Sequence, residues 1–140
     1  MNIKIFYEDI NFRLKGWKKI KKLIEKVISE EGNFSGDLIF ILSNDRFIVK
    51  INRKYLKHNF KTDVISFNYN ISRNNVGEVY ISIETVKRNS INYKVSYSEE
   101  IIRVMIHGTL HICGYNDSTD KEKQEMRQKE NYWLNEHKGK

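Results

Sequence analysis

The chain has 140 residues, and its net charge of +7 favours a polyanionic partner such as RNA or ribosomes over a merely lysine-rich surface. This length and a hydrophobic content of 39% predict one folded domain, residues 1–140, and exclude a disordered chain. Cys113 is the single cysteine, so an internal disulfide cannot form, which fits a reducing compartment. No apolar segment approaches the ~20 residues that cross a bilayer. We therefore expect a cytoplasmic protein without a membrane span.

The first third of the sequence predicts two strands, each followed by a helix. Polar and apolar residues alternate over residues 2–7, as in a half-buried strand, whereas residues 38–42 are all apolar, as in a strand buried on both faces. Between them, apolar residues recur at helical spacing from Trp17 and predict a helix that ends near Gly32. Asn44 can cap a second helix, whose predicted apolar stripe is Phe47, Ile48, Ile51 and Tyr55.

The middle of the sequence predicts a hairpin and a short helix. Residues 64–69 and 79–83 are predicted strands, and the asparagine-rich segment 70–75 between them favours an antiparallel connection. A short helix is predicted at residues 85–93. Because helices separate the first three strands, parallel crossovers between those strands are also allowed. These patterns together predict a four-stranded mixed sheet.

The most apolar helix of the sequence is predicted at residues 101–113. Ser96 and Glu99 form a capping-box pattern before it, and Gly114 is placed to end it. Since this helix is apolar on nearly every side, we expect it to be the central buried helix.

A charged helix is predicted at the C-terminal end. Thr119 and Glu122 repeat the capping-box pattern, and the helix should continue to about residue 136, with Met126 and Trp133 against the core. The predicted fold class is therefore α+β, a single domain with a four-stranded mixed sheet, about five helices and no internal repeat.

Two histidines one helical turn apart predict a metal site on the central helix. Residues at i and i+4 have Cβ atoms ~5–6 Å apart, so the imidazoles of His107 and His111 can bind one ion. Gly114 can adopt a left-handed conformation that turns the chain back and presents Asp117 as a third ligand. Two imidazoles and one carboxylate leave a coordination position open, as in catalytic sites. We therefore expect one divalent metal, with zinc as the preferred ion.

Other interpretations of this segment stay open at the sequence level. The two histidines can instead be core residues, each with its own hydrogen-bond partner. The spacing also resembles the H-E-x-x-H helix of metalloproteases, but Gly108 occupies the position of their general base, which disfavours a peptidase. Gly108 can leave room either for a bulky substrate or for a close-packed neighbour.

The segment from His107 to Asp117 resembles the signature H-G-x-L-H-x-x-G-Y-D-H of the YbeY family of endoribonucleases, also called rRNA maturation factors, except at its last two positions. Two other family blocks are matched in the family's order, by Asn52, Tyr55 and Thr62-Asp63-Val64-Ile65-Ser66-Phe67, and then by Gly77-Glu78-Val79-Tyr80-Ile81. The resemblance implies an α+β fold with the metal in a cleft and a single-strand-specific, metal-dependent endoribonuclease. It also implies maturation of the 3′ end of 16S rRNA, ribosome quality control, and ribosomal RNA and the small ribosomal subunit as partners.

The sequence departs from this family pattern at three positions. The third ligand, normally His, is Asp117, and the residue before it is Asn116 instead of Asp. The family usually has an Arg, proposed to contact substrate, where this chain has Leu56. A compensating hypothesis is that Arg103, which precedes the His pair on the same helical stripe, holds a phosphate beside the metal. The alternative is that Arg103 pairs with an acidic residue such as Glu99.

Further catalytic and RNA-binding candidates come from the second block and the segment before it. His58 can shuttle a proton and Ser66 can lie in the cleft, although exposed loop histidines are more often inert and a lone serine in a strand is usually structural. The predicted RNA contacts are Arg53, Lys54, Lys57 and Lys61. Two other functions fit the same residues: a metal-stabilised RNA-binding ribosome-assembly factor without turnover, and a different metal-dependent hydrolase.

Overall fold

The computed structural model describes residues 2–32, 34–56, 62–71 and 74–139. The described part contains four strands, five α-helices and one π-helical turn. In chain order they are β1 (Ile3–Tyr7), α1 (Trp17–Glu31), β2 (Asp37–Ser43), α2 (Asp45–Ile51), the π-turn (Asn52–Leu56), β3 (Val64–Ile71), β4 (Asn74–Ser82), α3 (Ile83–Tyr93), α4 (Tyr97–Ile112) and α5 (Asp120–Lys138). The predicted α+β class, with a four-stranded mixed sheet and five helices, is confirmed.

The four strands form one sheet in the order β1-β2-β4-β3. β2 pairs in parallel with both β1 and β4, and β3 pairs antiparallel with β4 at the sheet edge. The predicted β3–β4 hairpin pairing is confirmed, whereas the parallel crossover that the sequence allowed from β2 to β3 does not occur. Because β3 and β4 are joined by a short connection, the hairpin sets the direction of β3.

Several predicted boundaries differ from the structure. The hairpin ladder extends to the pair Ile71–Asn74, so most of the asparagine-rich segment is strand and β4 begins five residues earlier than predicted. In-register backbone pairing here outweighs the low strand propensity of asparagine. The predicted stripe of α2 is wrong at Tyr55, because α2 ends at Ile51 and the π-turn that follows leaves the Tyr55 ring exposed.

The central position predicted for the helix over residues 101–113 is confirmed by α4. Its core side chains, among them Ile101, Met105 and Leu110, are fully buried, and the helix contacts β3, β4, α1, α3 and α5. The Ser96 side chain accepts a hydrogen bond from the Glu99 amide at its start. α4 therefore fixes any group on its surface relative to the whole core.

The C-terminal helix docks on this core as predicted. Thr119 and Glu122 form a complete capping box, and Met126 and Trp133 are buried. Across the described ranges, none of the helices has both the length and the apolar character that a membrane crossing requires.

Candidate metal centre

Three side chains converge at the C-terminal end of α4. The Nε2 atoms of His107 and His111 are 3.1 Å apart, and each lies 3.3 Å from Oδ2 of Asp117. Tetrahedral zinc with bonds of ~2.0–2.1 Å places its ligand atoms about 3.3 Å from one another. The three atoms thus match one face of a tetrahedron, and within the described residues this is the one group of His, Cys, Asp and Glu with such convergence. The residues present can hold one metal ion.

Both imidazoles are oriented by partners on their other ring nitrogen. His107 Nδ1 is 2.6 Å from Glu130 Oε2, and His111 Nδ1 is 2.9 Å from the Tyr115 carbonyl oxygen. A carbonyl or an ionised carboxylate only accepts hydrogen bonds, so each Nδ1 carries the proton and donates it. Each Nε2 is then left with its lone pair toward the site, as metal ligation requires.

The electrostatics of the site favour a cation. Burial acts to lower the pKa of His107, but the hydrogen bond to Glu130 and the nearby carboxylates of Asp117 and Asp63 outweigh it and raise that pKa above its ordinary value. The same negative surroundings that favour an imidazolium proton also favour a divalent metal in its place. A cation-binding role therefore agrees with both the donor set and the charge.

The end of α4 places the third side chain. Gly114 has φ +106°, in the left-handed region that favours glycine. Its amide donates to the His111 carbonyl and the Tyr115 amide donates to the Leu110 carbonyl, which together form a Schellman motif. The chain consequently turns back over the helix end and brings both the Tyr115 carbonyl and Asp117 to the histidines. The predicted role of Gly114 in ending the helix is confirmed.

Glu130 of α5 connects His107 to Arg103. Glu130 is buried, with 6% of the residue exposed, and its other carboxylate oxygen accepts a hydrogen bond from Arg103 at 3.1 Å. Arg103 also donates to Asn131 at 2.8 Å. The alternative that Arg103 pairs with an acidic residue is confirmed, but the partner is Glu130 and not the suggested Glu99, which contacts Lys138. Glu130 lies 23 positions after His107 in the sequence, so local spacing cannot indicate that it bonds both His107 and Arg103.

Two cavities adjoin this centre. The first has a volume of about 610 Å³ and extends along α4 past Arg103. The second, of about 530 Å³, lies between the π-turn, β3 and the segment after α4. Their walls share Asp63, Val64, His107 and Asp117. The ligand triangle therefore stands where two spaces meet, accessible to a substrate that extends beyond the reacting group.

Comparison with known proteins identifies the family. A family model described as Endoribonuclease YbeY matches residues 4–138. The chain belongs to the YbeY family. A relative named Endoribonuclease YbeY from Amoebophilus asiaticus is 46% identical over 95% of this chain and 91% of the relative. Another of that name, from Christiangramia forsetii, is 39% identical over 89% of this chain and 87% of the relative.

A solved structure has a similar fold. The solution structure of TM1509 from Thermotoga maritima is 25% identical and superposes with a TM-score of 0.66, covering 99% of this chain and 90% of that chain. The family resemblance inferred from the three sequence blocks is therefore confirmed over nearly the whole chain.

The other sequence candidates take different places around this YbeY-family site. Arg103 lines the first cavity, and Ser66 lines the second, where its hydroxyl donates to the Gly108 carbonyl at 3.5 Å. Leu56, which replaces the usual family Arg, also lies in the wall of the second cavity. The remaining candidates are Arg53 and Lys54, which are exposed on the π-turn, and Lys57, His58 and Lys61, which lie outside the described residues.

Two buried carboxyl groups of the site were not found by sequence reasoning. Glu130 falls on the apolar stripe of α5 with Met126 and Trp133, and Glu100 lies within apolar α4. An acidic residue at a core position of an amphipathic helix is the signal that could have found them, since such groups are rarely buried without a partner or a role.

Proposed function

We propose that this chain is a metal-dependent endoribonuclease that cuts single-stranded RNA, acts in maturing the 3′ end of 16S rRNA, and takes part in ribosome quality control. Membership of a family described as Endoribonuclease YbeY supports the activity. The observation that carries the proposal is the convergence of two imidazoles and a carboxylate between two cavities. The net charge of +7 suits an RNA substrate and the small ribosomal subunit as a partner, in the cytoplasm.

We assign His107, His111 and Asp117 as the ligands of one divalent metal, with zinc as the expected ion. Two imidazoles and one carboxylate at near-tetrahedral spacing are a zinc donor set. When bound, a divalent ion supplies Lewis acidity toward a phosphoryl oxygen and activates water. Glu130 and the Tyr115 carbonyl hold the imidazoles in place, so that binding requires little rearrangement.

Basic residues near the centre are the proposed phosphate contacts. Arg53, Lys54, Lys57 and Lys61 precede β3, whose first residue, Val64, lines both cavities. His58 and Ser66 stay candidates for proton transfer and substrate contact.

Arg103 has two proposed roles that a substitution separates. It can bind a phosphate in the first cavity, or it can act only by holding Glu130. An Arg103→Ala variant that retains its fold and metal but cuts RNA at the wild-type rate excludes the phosphate role.

The decisive experiment compares wild type with His111→Ala and the matched control His137→Ala. His137 lies near the end of α5 and lines neither cavity of the centre. Metal content by elemental mass spectrometry and cutting of single-stranded and duplex RNA are measured on the same preparations. We expect one metal per chain and cuts in single strands for wild type and the control, and neither for His111→Ala.

The other outcomes distinguish the competing functions. Cuts that persist unchanged in His111→Ala indicate a contaminating nuclease and contradict the proposal. Metal-loaded protein that binds RNA in a salt-sensitive way without cutting is a ribosome-assembly factor. Protein that holds metal but neither binds nor cuts RNA is a hydrolase of other substrates. Products that end in a 2′,3′-cyclic phosphate exclude direct attack by water in the product-forming step.

A further inference from the structure

The first cavity extends from the metal centre to a carboxyl group that the centre does not use. Glu100, Arg103 and His107 occupy positions i, i+3 and i+7 of α4 and all line this cavity. With a rise of 1.5 Å per residue, Glu100 lies about 10 Å along the helix axis from His107. A phosphate held at the centre would therefore place the base of a flanking nucleotide in the region of Glu100.

Glu100 has a carboxyl group that opens onto this cavity. Its side chain lines the cavity although the residue is only 4% exposed, and it accepts no hydrogen bond from any residue that the structure describes. Burial raises its pKa to about 7, with Arg103 acting in the opposite direction. No buried side-chain oxygen among the described residues lacks a hydrogen-bond partner, so the Glu100 oxygens are accessible from the cavity. An N–H donor that enters the cavity can therefore reach this acceptor, beside the cationic side chains of Arg103, Lys123 and Arg127 that line the same space.

A second carboxyl group faces the same space. Asp63, just before β3, lines the cavity, and burial raises its pKa above the ordinary value. Val104 and Met126 are buried, apolar residues of the same wall, and the exposed ring of Tyr93 stands at its edge. Carboxyl acceptors beside apolar surfaces and an aromatic ring are the combination that holds an unstacked base in single-stranded RNA.

We propose that this cavity is a nucleobase subsite that selects guanine next to the scissile phosphate, an inference that rests on the proposed endoribonuclease function. Guanine presents N1–H and N2–H side by side, so one carboxylate can accept both hydrogen bonds. Adenine and cytosine each present an amino donor next to an acceptor, so one carboxylate can accept only one hydrogen bond from this edge. Uracil places its single N–H between two carbonyl oxygens, which the carboxyl groups repel. The order of preference is guanine first and uracil last.

The test uses four single-stranded RNAs that differ only in the base beside one cut site. Wild type, Glu100→Gln and the matched control Glu99→Gln are compared by kcat/KM on each RNA. Glu99 is the neighbour on the same helix, and its carboxylate contacts Lys138 outside the cavity. We expect wild type and the control to prefer guanine over uracil by roughly tenfold or more. The Glu100→Gln ratio should fall by at least about fivefold, because the amide presents a donor where guanine needs an acceptor.

Equilibrium binding separates failure of this inference from failure of the proposed function. Fluorescence anisotropy with metal-free protein and four short oligoribonucleotides measures the base preference without catalysis. Guanine preference that disappears in folded Glu100→Gln supports the subsite, even if no RNA is cut and the proposed function fails. Equal affinity for the four bases in wild type, or a preference that Glu100→Gln leaves unchanged, overturns it. Loss of a second metal equivalent in Glu100→Gln would also overturn it, because a cation would then be the occupant.

Discussion

Gly108, between the two histidines of the motif, lies where α4 packs closely against the sheet. A Cβ at this position would be 2.5 Å from Val79 Cγ1 and 3.3 Å from Ser66 Oγ. The sequence allowed this glycine to leave room either for a bulky substrate or for a close-packed neighbour. The structure supports the close-packed neighbour, which is Val79. The turn of α4 that carries His107 is held directly against β3 and β4, which fixes the height of the imidazole above the sheet.

Gly108→Ala should destabilise the protein. Overpacking costs about 1–3 kcal/mol, whereas alanine gains about 1 kcal/mol of helix propensity over glycine, so we expect a net loss of about 1 kcal/mol and at most about 2 kcal/mol. Urea unfolding of Gly108→Ala, Val79→Ala and the double variant measures the coupling between the two sites. The double variant should be more stable than the sum of the single effects indicates. Strictly additive costs would show that Val79 is not the obstacle.

At the level of elements, α5 completes a site that α4 begins. Glu130 of α5 bonds His107, and Trp133 of the same helix donates to Glu31 of α1 at 2.8 Å. Glu31 also accepts a hydrogen bond from the Tyr115 hydroxyl at 2.9 Å, on the residue whose carbonyl orients His111. Both imidazoles of the candidate metal centre are thus positioned by contacts between helices that are distant in sequence.

Glu130→Gln should weaken metal binding about 10–100-fold. The amide oxygen can still accept from His107, but the negative charge that supports the imidazole and pairs with Arg103 is lost. Competition with a chromophoric chelator measures the affinity, and Glu136→Gln is the control, since Glu136 bonds only the exposed Tyr132 of the same helix in the described structure. An unchanged affinity in Glu130→Gln would exclude this supporting role.

For the whole molecule, buried carboxyl groups make stability depend on pH in two directions. Burial acts to raise the pKa of Glu31 and of Asp45, but their hydrogen bonds lower both below the ordinary value, so their stabilising contribution is lost as the solution becomes acidic. Glu100 acts in the opposite direction. Its pKa rises from 4.5 to about 7, so the folded state binds its proton more tightly than the unfolded state, and stability falls as pH rises through this window.

Glu100→Gln should remove this loss of stability. The groups that act on Glu100 are Arg103 of its own helix, Asp63 before β3, and Arg127 and Glu130 of α5. Relative to wild type, we expect the variant to gain about 3 kcal/mol of unfolding free energy between pH 4 and pH 8, as one pKa unit corresponds to about 1.4 kcal/mol and most of the shift from 4.5 to about 7 lies in this window. Urea unfolding of metal-free protein at both pH values measures this difference, with Glu99→Gln as the control. An equal difference at both pH values would contradict the shifted pKa.

The local features of this protein were determined by the sequence alone. Asn44, Ser96 and Thr119 cap helices as predicted, and Gly114 ends α4. The histidine pair follows from helical periodicity, and the sheet class from the pattern of strands. The caps and the histidine pair depend on hydrogen bonds or spacing within a few residues, which the order of amino acids specifies directly.

Only the tertiary structure decided the remaining features. Three features depend on how the helices and strands pack together. They are the edge position of β3, the hydrogen bond between Glu130 and His107, and the cavity onto which the Glu100 carboxyl group opens. Residues in such contacts are separated by tens of positions, and many partners of suitable chemistry compete for each one. Packing of α5 on α4 and of α4 on the sheet selects among them, because a close-packed core has few arrangements that bury its apolar faces without voids.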